Sequence, residues 1–218
     1  MILIYNTSFM HNVWNSFVIA AITTIICLAI GILGSYAMTR LKYPGDPFSG
    51  NSIIISYLMP TAVLFVPMYV FVSSLGFYDN KYALLIIYPT FVVPYCCYML
   101  ISYFKAIPYA LEEAALIDGC NRLQTLWYII MPIALPGIAV VATFAFTMAW
   151  NEYLYAMIMT TSNVQKTATV AISGFKYADS AIWGRIMSAS VVCSLPVTLL
   201  YIVAQSMLIS GKYEGSVK

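Results

Sequence analysis

The amino-acid sequence predicts an all-α membrane protein, a bundle of about five kinked transmembrane helices. Three observations carry this. First, 62% of the 218 residues are hydrophobic and only 8% are charged, against about 25% charged in soluble domains, and mean hydropathy is +0.86. Second, the apolar residues gather in continuous runs, several of them longer than the ~18 residues that mark a spanning helix. Continuous rather than alternating runs argue against a transmembrane β-barrel. Third, proline recurs in the later runs, at Pro60, Pro67, Pro89, Pro94, Pro132, Pro136 and Pro196. An interior proline removes a backbone hydrogen bond and kinks the helix, and neighbouring helices or water must satisfy the freed carbonyls. Kinked helices lining a path suit a transporter, although proline is also simply common in membrane helices.

Taken in order, residues 1–12 are short and mixed, without the basic n-region or small-residue cleavage site of a secretory signal. The first span covers 13–38 and ends at Arg40 and Lys42, which argue for a cytoplasmic exit. Residues 43–51 carry Pro44, Gly45, Asp46, Pro47 and Gly50 and read as a turn. A second span (52–75), a polar loop (76–81) and a third span (82–104) follow. A polar segment at 108–130 leads to a fourth span (131–160), a polar stretch at 161–184 and a fifth span (186–209). All belong to one transmembrane domain, 1–218. Alternating sides gathers Arg40, Lys42, Lys105, Arg122, Lys212 and Lys218 on one face, and Lys81, Lys166, Lys176 and Arg185 on the other. The excess makes the first face cytoplasmic, with the N-terminus external and the C-terminus cytoplasmic.

Several function classes fall away. A net charge of +2 is too small to imply a nucleic-acid partner. The five cysteines are scattered and odd in number, and read as small packing residues. The one histidine, His11, excludes a bis-histidine haem within the chain and a His-rich metal site. It is too isolated for a Ser/His/Asp set. No Gly-x-x-x-x-Gly-Lys-Ser/Thr is present, so the chain is not expected to hydrolyse ATP or to be an enzyme. No metal or bound cofactor is expected.

The polar segment is the most informative stretch. Glu112, Glu113, Asp118 and Arg122 lie close together in a chain with eight acidic residues in all, so the segment belongs in water. Pro108 suits a first helical turn. Glu112 and Glu113 complement the positive helix N-terminus, and Ala110, Ala114, Ala115, Leu116 and Ile117 propagate the helix. Gly119 fits a left-handed stop. This predicts one short helix at 108–118 and a second at 122–130, with Pro132 marking entry to the next span. Ala114 and Ala115 offer a smooth surface for close approach. Either an amphipathic connector on the headgroups or a docking helix for a protein partner fits; the acidic character favours a protein.

Glu152, in Trp150-Asn151-Glu152-Tyr153, is the one acid inside an expected span. A charge at mid-membrane costs about 2.5–3.5 kcal/mol on insertion scales. It therefore faces an aqueous path, or lies near the outer interface and braces helices. In the path, Trp150, Tyr153 and Tyr155 would offer ring faces to a solute, with Asn151 and Glu152 as hydrogen-bond partners.

The spacing Glu113-Ala114-Ala115, Gly119, Ile129-x-Met131-Pro132 resembles the EAA motif of ABC importer permeases, with methionine where leucine is usual. Asn15-Ser16, Ala37-x-x-Arg40 through Gly45, Pro67-Met-Tyr69, Leu75-Gly76, Ile107-Pro108, Trp150-Asn151-Glu152-Tyr153, Leu195-Pro196 with Gln205, and the tail Gly211 to Lys218 are similar to the carbohydrate branch, the MalG-like permeases. The resemblance covers essentially the whole chain and implies a type I ABC importer permease (MetI-like) fold. It further implies a coupling helix that docks on a separate cytoplasmic ABC ATPase dimer, with contacts from Glu113, Ala114, Ala115, Asp118 and Gly119 and the adjacent Glu112 counted with them. ATP is then used by that partner. A second permease subunit would complete the path, and an extracellular or periplasmic solute-binding protein would deliver sugar to the 161–184 loop. Members of this branch usually carry one more N-terminal span. Two alternatives stay open: a permease for another solute, such as a glycerol phosphoester or polyamine, or a shortened, non-transporting membrane scaffold.

Overall fold

The structure is a computed structural model that describes residues 7–41, 46–177, 180–181 and 183–215. The readings made at Lys42, Pro44, Gly45 and Lys218 lie outside these residues.

Eleven helices and one short hairpin are described. They are α1 (Thr7–Arg40), α2 (Asp46–Leu58), α3 (Phe65–Ser74), α4 (Leu84–Ile87), α5 (Pro89–Ala106), α6 (Ala110–Ile117), α7 (Arg122–Thr125), α8 (Met131–Asn151), α9 (Leu154–Met159), α10 (Ala168–Ser173) and α11 (Trp183–Gly215). The hairpin pairs β1 (Lys176–Tyr177) with β2 (Ser180–Ala181) in antiparallel register. Three helices, Ser8–Arg40, Arg122–Asn151 and Trp183–Ser206, are long and apolar enough to cross a membrane alone. Two bent pairs bring the number to five if each is one span, in line with the apolar runs.

The prolines do unequal work. Ser52–Leu58 and Thr61–Ser74 meet at 85°, so the expected second span is sharply broken. The break falls at Pro60, which has extended backbone (ψ 122°) and precedes a 3-10 turn, Thr61–Leu64. Lys81–Ile87 and Pro89–Ala106 meet at 42°, with Pro89 in the first turn of α5, where a missing N–H costs little. Pro94, Pro136 and Pro196 stay inside their helices.

The expected helix at 122–130 is not separate. Arg122–Thr125 runs through a π turn, Leu126–Ile130, into α8 as one continuous element. Pro132 has no N–H for the carbonyl of an earlier turn and its ring crowds that turn. The wider π geometry just ahead of it leaves room for both. The fourth span also ends early. It stops at Asn151 rather than residue 160, because Glu152 is extended (ψ 133°) and α9 starts afresh.

Helices α1, α5 and α8 pack together as the centre of the bundle. At Gly31 a Cβ would come within 3.0 Å of the Cys96 Cβ, and at Gly137 within 2.5 Å of the Tyr103 ring; these two glycines set how closely the helices approach. The core has two halves. One surrounds Ile87, Tyr88, Trp150 and Tyr155; the other surrounds Cys27, Cys96, Leu100, Phe104 and Leu126. Helix α11 leans on α8 and presents Val191, Leu195, Leu199 and Ile202 outward. Such an apolar face is at home in lipid or under another helix.

Candidate coupling segment and helix-break site

At one end of the bundle the polar segment folds back against α1 and α5. Helix α6 has Glu112 and Glu113 in its first turn, where the helix dipole favours acids. It stops in a Schellman arrangement: Cys120 N donates to the Ala115 carbonyl at 2.9 Å and Gly119 N to the Leu116 carbonyl at 3.2 Å. Gly119 has φ +89° with nothing near its missing Cβ, so the glycine serves backbone conformation rather than space. A capping box then restarts the chain. The Gln124 N–H donates to Asn121 Oδ1 at 2.9 Å, and the Asn121 N–H donates to Gln124 Oε1 at 2.8 Å.

The six residues expected at the ATPase surface divide between two faces. Glu113, Ala114, Asp118 and Gly119 are exposed. Glu112 and Ala115, three residues apart on one side of the helix, turn inward at 0% and 5% exposure. The surface expectation for these two is therefore corrected. Ala115 packs inside, and Glu112 is held 2.7 Å from Arg40 Nε in a buried ion pair. Ile117 was missed: it is 85% exposed, an apolar knob on the outward face of α6 beside Asp118. The pairing of Arg40 was missed too, since it was read as a topology signal and as part of a family pattern and not as the partner of Glu112.

Near the opposite end, the helix break gathers the second set. Glu152 Oε1 accepts from Tyr155 N at 2.9 Å, and Oε2 accepts from Ala156 N and from Tyr88 Oη, both at 3.0 Å. The carboxylate thus caps α9 and ties it to α4–α5. Thr169 Oγ1 donates to the Glu152 carbonyl at 2.9 Å. Trp150 and Tyr155 are each 3% exposed, which removes both from stacking on a solute. Trp150 Nε1 donates to the Cys193 carbonyl at 3.2 Å, and Tyr155 Oη to the Thr61 carbonyl at 2.9 Å. Tyr153 is half-buried and donates its hydroxyl to Met157 Sδ at 3.0 Å. Only Asn151 of the four is exposed. It opens on a groove of about 360 Å³ between α8, α10 and α11, which Thr169, Ser190, Ser194 and Thr198 also line.

The end beyond the break is closed by several separate hydrogen bonds, most of them to backbone groups. Asn15 Nδ2 donates to the Val164 and Lys166 carbonyls at 2.8 and 3.1 Å, and its Oδ1 accepts from Lys81 Nζ at 2.7 Å. Ser16 Oγ accepts from Ala168 N at 2.8 Å. Asp79 Oδ1 accepts from Thr161 N and Ser162 N, both at 2.8 Å. The Ser162 backbone N–H, and then Thr161, hold the Asp79 carboxyl below its ordinary range, more strongly than its slight burial raises it. The 161–167 part of the long polar stretch is thereby fastened to the start of α1.

This architecture, with a short outward-facing helix between two spans, is the fold of a type I ABC importer permease. A chain of a bacterial ABC transporter that imports the acidic polysaccharide alginate superposes with a TM-score of 0.74 at 21% identity, over 94% of this chain and 76% of that one. Residues 30–210 match the model of the binding-protein-dependent transport system inner membrane component family, and the chain belongs to that family. It is 37% identical to the inner membrane ABC transporter permease protein YcjP of Escherichia coli, over 94% of this chain and 73% of the relative. It is 31% identical to the trehalose/maltose transport system permease protein MalG of Thermococcus litoralis, over 94% and 74%. The chain is thus a multi-pass membrane permease of an ABC importer, and its relatives are transporter subunits rather than enzymes.

Proposed function

We propose that this permease forms half of the path for a sugar or oligosaccharide, and that α6 with Gly119 docks on a separate cytoplasmic ABC ATPase dimer. The observation that carries the docking reading is the outward face of α6. Glu113, Ala114, Ile117 and Asp118 stand exposed on it, on a helix whose other face is pinned to α1. An apolar knob ringed by acids suits a groove with basic rims. Sugar as cargo is supported by the relative named for trehalose and maltose and by the neutral, hydroxyl-rich groove at Asn151. Among the described residues, neither the basic groups a glycerol phosphoester would want nor the acids a polyamine would want line it.

The other parts follow from this reading. A second permease subunit completes the path, a solute-binding protein meets the end formed by Asn15 and the 161–167 loop, and ATP is bound by the ATPase and not by this chain. The N-terminus lies outside and the C-terminus inside. The decisive experiment is reconstitution of the permease pair, ATPase and binding protein, followed by ATP-dependent uptake of labelled maltose, trehalose, a glycerol phosphoester and spermidine. Gly119→Val, a β-branched residue forced to positive φ, should uncouple hydrolysis from uptake or abolish ATPase docking. Normal coupled uptake in that variant would overturn the docking assignment. ATPase docking without uptake of any solute would favour the scaffold alternative.

A further inference from the structure

Arg40, the last residue of α1, has a side chain only 6% exposed. Its Nη2 donates to the carbonyls of Phe104 and Ile107, each at 2.7 Å. These lie in and just past the last turn of α5, where helix carbonyls lack intrahelical donors. Its Nε stands 2.7 Å from Glu112 Oε1 in the first turn of α6, and the guanidinium lies over the Tyr109 ring at 5.5 Å. One planar group thus joins the end of α1, the end of α5 and the start of α6. Glu112 is fully buried and, among the described residues, neither oxygen has a hydrogen-bond partner. Its second charged neighbour, Arg122 Nη1, stands 3.9 Å away.

Such a pair is a poor way to gain stability, because well-packed apolar side chains of similar volume hold a buried contact as well or better. What it supplies is a joint between helix ends: the two bonds from Nη2 fix the guanidinium on the α5 carbonyls, and charge attraction at Nε holds the α6 carboxylate to it. A buried carboxylate also cannot drift from its cation without leaving charge uncompensated in a low-dielectric interior.

We propose that the Arg40–Glu112 pair is the linkage that carries displacement of α6 into α1 and α5 during the transport cycle, Arg40 and Glu112 being positioning residues. The proposal rests on the reading of α6 as the ATPase-docking helix. Without the pair, α6 keeps its short connections at 107–109 and 118–121 and the packing of Ala115, but no charged contact ties it to the end of α1. A pull on α6 would then be absorbed in those connections instead of tilting α1.

The test measures the α1–α6 distance in the full complex with its ATPase. Spin labels are placed at exposed Leu33→Cys on α1 and Leu111→Cys on α6, in a background where Cys120 and Cys193 are serine. Distances are compared without nucleotide and with ATP and vanadate. In the otherwise native protein the distance should stay the same in both states. In Glu112→Gln it should shift or broaden with nucleotide, because α6 moves and α1 lags. The apolar double variant Arg40→Met/Glu112→Leu separates linkage from mere packing. It should assemble and bind the ATPase, yet show the same nucleotide-dependent shift. An unchanged distance in the double variant would overturn the proposal, as would a shift in the native pair. If Glu112→Gln does not assemble, the double variant decides alone. Failure of both to assemble would assign the pair to folding and end the proposal. Absence of any ATPase from the native complex would instead remove the docking reading, and the linkage with it.

Discussion

The two ends of α1 are fastened in opposite ways. At Arg40 the anchor is charged and buried: a guanidinium and a carboxylate, with two backbone carbonyls at the end of α5. At Asn15 it is largely a carboxamide and a hydroxyl holding backbone groups of the 161–168 stretch, with Lys81 and Asp79 at the rim. Residues 15 and 40 are about 37 Å apart at the helical rise, slightly more than the ~30 Å hydrocarbon core. The two anchors thus sit where a membrane ends on either side. The difference is between a joint of two buried charges and one that fixes the backbone of a loop. An ion pair that fails when either partner is lost makes an all-or-none joint. A set of separate hydrogen bonds loosens by degrees.

Single substitutions should therefore rank by end. Arg40→Ala should have the largest effect, destabilising by about 3–5 kcal/mol because Glu112 is left buried without its cation; unfolding of purified permease in mild detergent measures it. Asn15→Ala removes three hydrogen bonds and should cost about 1–3 kcal/mol in the same assay. Equal losses at the two sites would break the comparison. Lys81→Met removes one partner of Asn15 at a half-exposed position and should cost about 1 kcal/mol or less. The smallest effect concerns pH. The Asp79 carboxyl is held below its unfolded range by the Ser162 and Thr161 N–H groups. Its contribution is therefore present above the unfolded value and lost as pH falls through the lowered folded one. Limited proteolysis of the 161–167 loop should increase on acidification, and Asp79→Asn should flatten that dependence. A loop whose protease sensitivity ignores pH in the native protein would remove Asp79 from the anchor.

Much of this was legible in the chain before the fold was known. The five apolar runs became five span candidates because lipid demands length and hydrophobicity, and both are written residue by residue. The Gly119 stop was legible because positive φ selects glycine. The break at Glu152 was not, since Trp-Asn-Glu-Tyr contains neither glycine nor proline. It exists because Glu152 reaches the N–H groups of Tyr155 and Ala156 and the hydroxyl of Tyr88, and Tyr88 is 64 residues away. The unequal prolines were equally hidden. Pro60 breaks its span and Pro136 does not, a choice made by neighbours rather than by the residue. Arg40 looked like a topology marker because sequence shows a charge near a span end but not the acid that meets it.

The π turn at Leu126–Ile130 has a consequence for how the permease tolerates changes in length. A π turn is an α turn carrying one surplus residue, so deleting a single residue there would leave the span helical and long enough. The flanking α turns would keep nearly their present facing, because the surplus residue is what the wide turn already absorbs. Deleting one residue from the regular helix further along α8 would instead rotate everything upstream by about 100° around the axis, re-aiming α7 and Arg122. The π turn is therefore the place where this span tolerates a change of length while the polar segment keeps its aim.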